Sequence, residues 1–493
     1  MRKIQFLLTL FITFCQFSAK AEFTYNHNCI TAYKSILSLK IPEAKLLIQK
    51  EKQQNPTNGI IPLLENYVDY FSLLASESNI DYEKWSENKS VRLSLLAGNN
   101  QNSPFFLYSQ AEVYLQWSLL KSKFGDYLSS AIDAKKANSL FKENAKKFPG
   151  FILNQKGIAM VNVIFGAIPE SLKGISKFLG MTGNTETGIN QLETLTANIK
   201  HSQYGFYNDE LVFFICTITV DQQNKYESYN KLITLLASVD NSSLLKTFLQ
   251  AHIAAKCGHN DDAINFLKEN TFGDQYIKLP ILDYILGNCT LNHLNEDAQV
   301  YLLKFINDFK GTNLIKDAYL RIAYFYLIND NINKYIYYLK LVKEKGYAHD
   351  ERDIQALTEA SDTKPDIDLL KARLLFDGAY YDKAILIING IEVNNLKLLR
   401  DKIEYYYRLG RLYDKMNNWN NAIANYQKAI NLGKTSSYYY SANAALNIGH
   451  IYESKKDFYK AKYYYKQALD MPRHGYQNSI DDGAKAGLNR IKS

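Results

Sequence analysis

The residue types that carry most enzyme chemistry are present in this 493-residue chain, but their spacing does not serve it. There are eight histidines, and no two stand three or four positions apart, the interval that puts two imidazoles on one helical face to hold a metal. Cys257 with His259 is the nearest approach to a ligand pair and reads instead as a helix end. Gly433-Lys434-Thr435 has the ending of a phosphate-cradling loop, but the earlier glycine such a loop requires falls on Lys428. HExxH, GxSxG and GxGxxG do not occur. The acidic run Asp350-Glu351-Arg352-Asp353 reads as a solvated loop. The tyrosine runs 405–407, 438–440 and 463–465 suggest a sugar or nucleic-acid platform. Neighbours on a helix point in different directions, however, so these runs read as core and rim packing. The expectation is a protein with no catalysis, cofactor or metal.

The elements that position these side chains follow from composition. Nine prolines and 24 glycines are few for a chain this long, and breakers this scarce favour long helices over turn-dense β structure. Hydrophobic residues make up 46% and charged residues 22%, enough apolar content to bury a core. The net charge of +8 falls to +5 without Arg2, Lys3 and Lys20 (8 − 3). With no basic block besides, no nucleic-acid partner is expected.

Internal repetition then sets the architecture. Tyr406-x-x-Leu409-Gly410-x-x-Tyr413, followed by Ala422-x-x-x-Tyr426-x-x-Ala429, recurs as Ala445-x-x-Ile448-Gly449-x-x-Tyr452, followed by Ala461-x-x-x-Tyr465-x-x-Ala468. Steps of three and four place these residues on one helical face. Small Gly410 and Ala422 let two antiparallel helices approach, and bulky Tyr413 and Tyr426 fill the space around the contact. A hairpin this small cannot bury its face alone and needs neighbours on both sides. These two units resemble the tetratricopeptide-repeat family, whose pattern is an aromatic or Leu, Leu-Gly, Tyr, then Ala, an aromatic and Ala. The expected Pro is missing at Lys434 and displaced to Pro472. Looser units surround Ala372 to Ala384, Tyr319 to Leu339 and Ala251 to Leu267. The resemblance implies an all-α fold, an α-solenoid of stacked antiparallel helix hairpins.

Four regions are expected: a leader over 1–21, an irregular helical region over 22–240, middle repeats over 241–360, and a regular array over 361–493. The array closes with a capping helix from Asp481 to Ile491. A loop from Gly346 to Asp366 is expected to interrupt it. Arg2 and Lys3, the apolar run Ile4 to Phe14 and Ala19-Lys20-Ala21 form a secretory signal cleaved before Glu22. Phe14 is too large to precede a lipidated Cys15. No later run is long enough to span a membrane, so none is expected in the mature chain. The layout resembles exported repeat proteins of Gram-negative bacteria, which implies the periplasm, with peripheral attachment to the outer membrane left open. Cys257 and Cys289 lie 32 residues apart, near one repeat (289 − 257), and either pair or serve as small core residues.

In the tetratricopeptide family the first helix of each pair lines an inner groove. The position after the small residue faces that groove, which here selects Tyr324, Arg373, Arg411 and His450, while Arg408 and Asn447 stand two before the small position. A row of cationic and donor groups suits an acidic peptide or a terminal carboxylate, because guanidinium grips carboxylate at two points. Glu404 and Leu446 break the family's carboxylate-clamp pattern, so binding of chaperone tails is not implied. The expected function is an exported scaffold or adaptor that binds a protein or peptide segment in its concave groove. A glycan-binding protein of the starch-utilisation type is the alternative. It is disfavoured because such proteins build sugar platforms from Trp, and only Trp85, Trp117 and Trp419 occur. A cryptic hydrolase or metal enzyme is the third reading.

Overall fold

The computed structural model describes residues 22–168, 173–222, 228–270, 272–348 and 350–491. The expected leader, with Cys15 and Ala19-Lys20-Ala21, lies outside the described residues. Among those described there is helix throughout and no strand. The chain is an all-α solenoid of helix hairpins.

One turn builds hairpins along the whole chain. The first helix ends, a single residue takes the left-handed conformation, and the next residue is the N-cap of the second helix, except after Leu294, where the second helix waits until Ala298. The left-handed residues are Leu39, Gly125, Gly258, Leu294, Asp330, Ala379, Asn417 and Lys456. In the Asn417 turn the backbone N–H of Asn417 donates to the Asp414 carbonyl at 2.9 Å, and that of Asn418 donates to Tyr413 at 2.8 Å. Lys456 and Asp457 repeat this onto Glu453 and Tyr452, both at 2.9 Å. These bonds satisfy carbonyls that a helix end leaves open. The following Asn or Asp caps the next helix: the side chains of Asn331, Asn418 and Asp457 accept from the N–H groups of Lys334, Asn421 and Lys460. From 258 onward the turns stand 36, 36, 49, 38 and 39 residues apart, by subtraction of their positions. The long step holds an inserted helix, Glu351–Ser361, which packs on Ile315–Ile328 and Ile332–Glu344. The segment expected to be a loop from Gly346 to Asp366 is therefore mostly helix. Asp350, the first of its acidic run, accepts from the Arg352 N–H and caps it.

Within a hairpin, small residues meet bulky ones. A Cβ on Gly410 would stand 2.6 Å from the Tyr426 ring, and one on Gly449 would stand 2.5 Å from Tyr465. Ala422, Ala429, Ala461, Ala468 and Ile448 are buried between these helices, and Leu409 lies at their edge. Tyr413 and Tyr452 are half-buried against the same cores. Tyr406 is also half-buried; its neighbour Tyr407 is the member of the triplet that goes fully inside. The same contact recurs where the sequence shows no repeat: Gly157 faces Phe141 and Gly287 faces Leu302. The last helix, Gln477–Arg490, covers the open end, with Ala484 buried and Gly487 against the far side of Tyr465. Cys289 is a buried thiol outside any disulfide, as are Cys29 and Cys216, so the Cys257–Cys289 pairing does not form.

The N-terminal part is held by a buried charge cluster. The Lys156 ammonium, fully buried, donates to Glu112 at 2.8 Å, to Glu210 at 2.7 Å and to the Tyr67 hydroxyl at 3.1 Å. Tyr33 and Tyr67 donate to Glu210 at 2.7 and 3.0 Å. Burial alone would lower the Lys156 pKa, but the two carboxylates outweigh it and hold the ammonium above its usual range. Burial raises the Glu112 carboxyl, against the pull of Lys156. Farther along, Asn313 donates to Glu77 at 3.3 Å, so the middle of the chain curls back onto an early hairpin.

Candidate binding groove

The hollow that gathers most of the chemistry lies in the second half of the solenoid. It has a volume of about 340 Å³ and is walled by Ile315–Ile328, Glu351–Ser361, Ile367–Asp377 and the stretch 437–440. Tyr324 and Arg373, two of the expected groove residues, line it together. Between them stands Glu359, from the inserted helix. Arg373 donates to both Glu359 oxygens, at 2.7 and 3.1 Å, and the Tyr324 hydroxyl also donates to Glu359. Burial would raise the Glu359 carboxyl, but the Arg373 guanidinium outweighs it and holds the pKa down at about 2.

The other arginines around the hollow are equally engaged. Arg400 donates to the Thr363 carbonyl at 2.6 Å and, through Nε, to Asp401 at 2.9 Å. Buried Arg408 donates through Nε to Glu404 at 2.6 Å. The row of available cations that the repeat positions suggest is therefore a set of internal ion pairs. Arg411 differs. Its guanidinium carbon lies 4.0 Å above the Phe376 ring, and among the described residues it forms no ion pair.

Asn447 is half-buried and its side chain makes no hydrogen bond among the described residues; it does not line the hollow. His450 lies elsewhere too. Its Nδ1 is 2.8 Å from the Tyr465 hydroxyl, which donates to Glu453, and Glu453 binds Arg490 of the capping helix at 2.7 and 2.9 Å. Burial, then the Arg490 charge, lower the His450 pKa. Glu453 fastens the cap, and His450 stands beside it.

The tyrosine run 438–440 packs as expected, with Tyr440 in the core and Tyr438 and Tyr439 against it, and it also lines the hollow. The helix starts only at Tyr440, with Tyr439 as its N-cap, so the three side chains are not splayed by a helical turn. All three line the hollow, with Tyr439 and Tyr440 ring centroids 4.4 Å apart. None of the three hydroxyls makes a hydrogen bond within the described residues, and burial, the largest influence on each, raises the phenol pKa of all three. Sequence reasoning missed Glu359 and gave this run a packing role alone, because both depend on where a helix begins.

The geometry defines a repeat-built, helix-walled groove. Residues 401–474 match the tetratricopeptide repeat family model. No curated protein matches the chain. Among solved structures it is similar to a human IFIT1 dimer with m7Gppp-AAAA, at 14% identity over 94% of this chain and 90% of that one, with a TM-score of 0.30. It is also similar to the APC/C hetero-tetramer Cut9-Hcn1, at 11% identity over 94% and 96% of the two chains, with a TM-score of 0.27. Among the described residues no helix is long and apolar enough to cross a membrane.

Proposed function

We propose that the chain is a scaffold that holds a polypeptide segment of another protein in this hollow. The observation that carries the reading is three phenol hydroxyls with no internal hydrogen bond facing a hollow whose arginines are already paired. A phenol both donates and accepts, so it matches backbone amide groups, while its ring supplies apolar contact. The match of residues 401–474 to a repeat family built for protein interaction supports it. Arg411 is the cation left for an acidic side chain of the segment, outside the hollow itself. The scaffold is assigned to the exported compartment on residues 1–21.

Capture of partners from a periplasmic extract, read by mass spectrometry, tests this. The double variant Tyr439→Ala with Arg411→Glu should keep the helical circular dichroism spectrum and lose the partners that the unaltered chain retains. An unchanged partner set overturns the reading. Arg373→Glu is unsuitable, because it would leave Glu359 buried beside a second acid.

A further inference from the structure

A second, larger cavity lies in the N-terminal half, far along the chain from the groove. Its volume is about 580 Å³, within the range of roughly 300–1,000 Å³ typical of small-molecule sites. The walls come from Ile60–Ser76, Phe105–Lys123, Tyr127–Lys147, Leu153–Gly166, Asn208–Thr217 and Leu244–Lys256. Phe71, Leu74, Ile164, Phe214 and Phe248 are only half-buried along it, although each is a side chain that favours full burial. Among the described residues Glu210 is the only charged member of the lining, and both its oxygens already accept from Tyr33, Tyr67 and Lys156. A charged ligand would find no free counter-ion among the described residues of the lining. One buried hydroxyl of the lining is unspent: Tyr70 is 8% exposed, and its hydroxyl makes no hydrogen bond among the described residues. Ser122 and Thr217 are exposed members of the lining and mark an entrance.

We infer that this cavity binds an uncharged, elongated aliphatic molecule carrying one hydrogen-bonding oxygen, in the manner of a long-chain alcohol or a neutral lipid tail. The aliphatic chain enters past Thr217 and lies against the five half-buried side chains, and its oxygen meets the Tyr70 hydroxyl. A largely apolar cavity of this size is a preformed receptor for such a molecule, because its walls gain contacts that water does not supply.

The test uses the fluorescent apolar probe N-phenyl-1-naphthylamine with the full chain, displaced by hexadecanol. Saturable one-to-one binding and displacement are expected. Thr217→Trp, which fills the entrance from an exposed position, should abolish probe binding with the melting temperature unchanged. Ser122→Trp does the same from the opposite wall should the first variant fold poorly. Leu386→Trp, on an exposed position of the second half, should leave binding intact. Tyr70→Phe should weaken hexadecanol about five- to tenfold and leave the probe unaffected. Absence of saturable binding, or binding indifferent to both Trp variants, overturns the inference. Displacement by an amphipathic helical peptide and not by hexadecanol also overturns it and assigns the cavity to a protein segment.

Discussion

Arg373 and Glu359 show what a single ion pair does here. Both are largely shielded from water, with side-chain exposures of 21% and 18%. Holding Glu359 near pH 2, against an ordinary value of 4.5, stabilises the folded chain by about 3 kcal/mol above pH 4.5. Because the folded pKa is the lower one, that contribution is complete above 4.5 and lost as pH falls toward 2. Urea unfolding midpoints at pH 7, 4.5 and 3 should drop across the lower interval, and Glu359→Gln should flatten that drop. An identical acid limb in the variant would show that the pair contributes nothing. Tyr324 and Arg373 were legible in the sequence because their repeat positions recur. Glu359 was not, because it sits on a helix outside the repeat whose only sequence sign was an acidic run that also suits a loop.

At the level of helices and turns, the shared hairpin turn explains why the repeat was clear at one end and faint at the other. The left-handed position is glycine at 125 and 258 but Leu, Asp, Ala, Asn or Lys elsewhere, so no residue type marks it. At five of the eight an Asn or Asp follows immediately, a weak signal without knowing where the previous helix stops. The small-against-bulky contacts were visible at Gly410 and Gly449 because two units align. Gly157 against Phe141 is the same device with its partner earlier in the chain, which no aligned unit could reveal. Exposed Lys456, at φ 60°, carries strain that glycine would not. Lys456→Gly should raise stability by about 0.5–1 kcal/mol, net of the added freedom of the unfolded chain. Gly410→Leu should lower it by about 1–3 kcal/mol, because Tyr426 fills the space. Thermal melts of both variants check the opposite signs.

Across the whole molecule, cohesion is passed from neighbour to neighbour. The core around Tyr407, Tyr426 and Tyr465 is separate from the one that runs from Cys29 to Cys289. The capping helix packs mainly on the last hairpin, through Gly487, Ala484 and the Arg490–Glu453 pair. Truncation before Gln477 should therefore strip hydrogen-exchange protection from residues 440–469 and leave residues 27–292 as protected as before. Loss of protection throughout would show one indivisible core. The solenoid class was readable from scarce breakers and two aligned units. The curl that brings Asn313 to Glu77 was not, since nothing local encodes a contact 236 positions long.

The knot of Lys156 with Glu112, Glu210, Tyr33 and Tyr67 sets an order of birth. A ribosome releases the first helix long before it has made the acid that anchors it: Tyr33 waits 177 residues for Glu210. Until then Lys156 and Glu112 have each other but lack their third member, and the opening hairpins remain tethered to nothing final. Nearly half the polypeptide must exist before its beginning can lock, and throughout that interval the nascent chain depends on whatever shelters it.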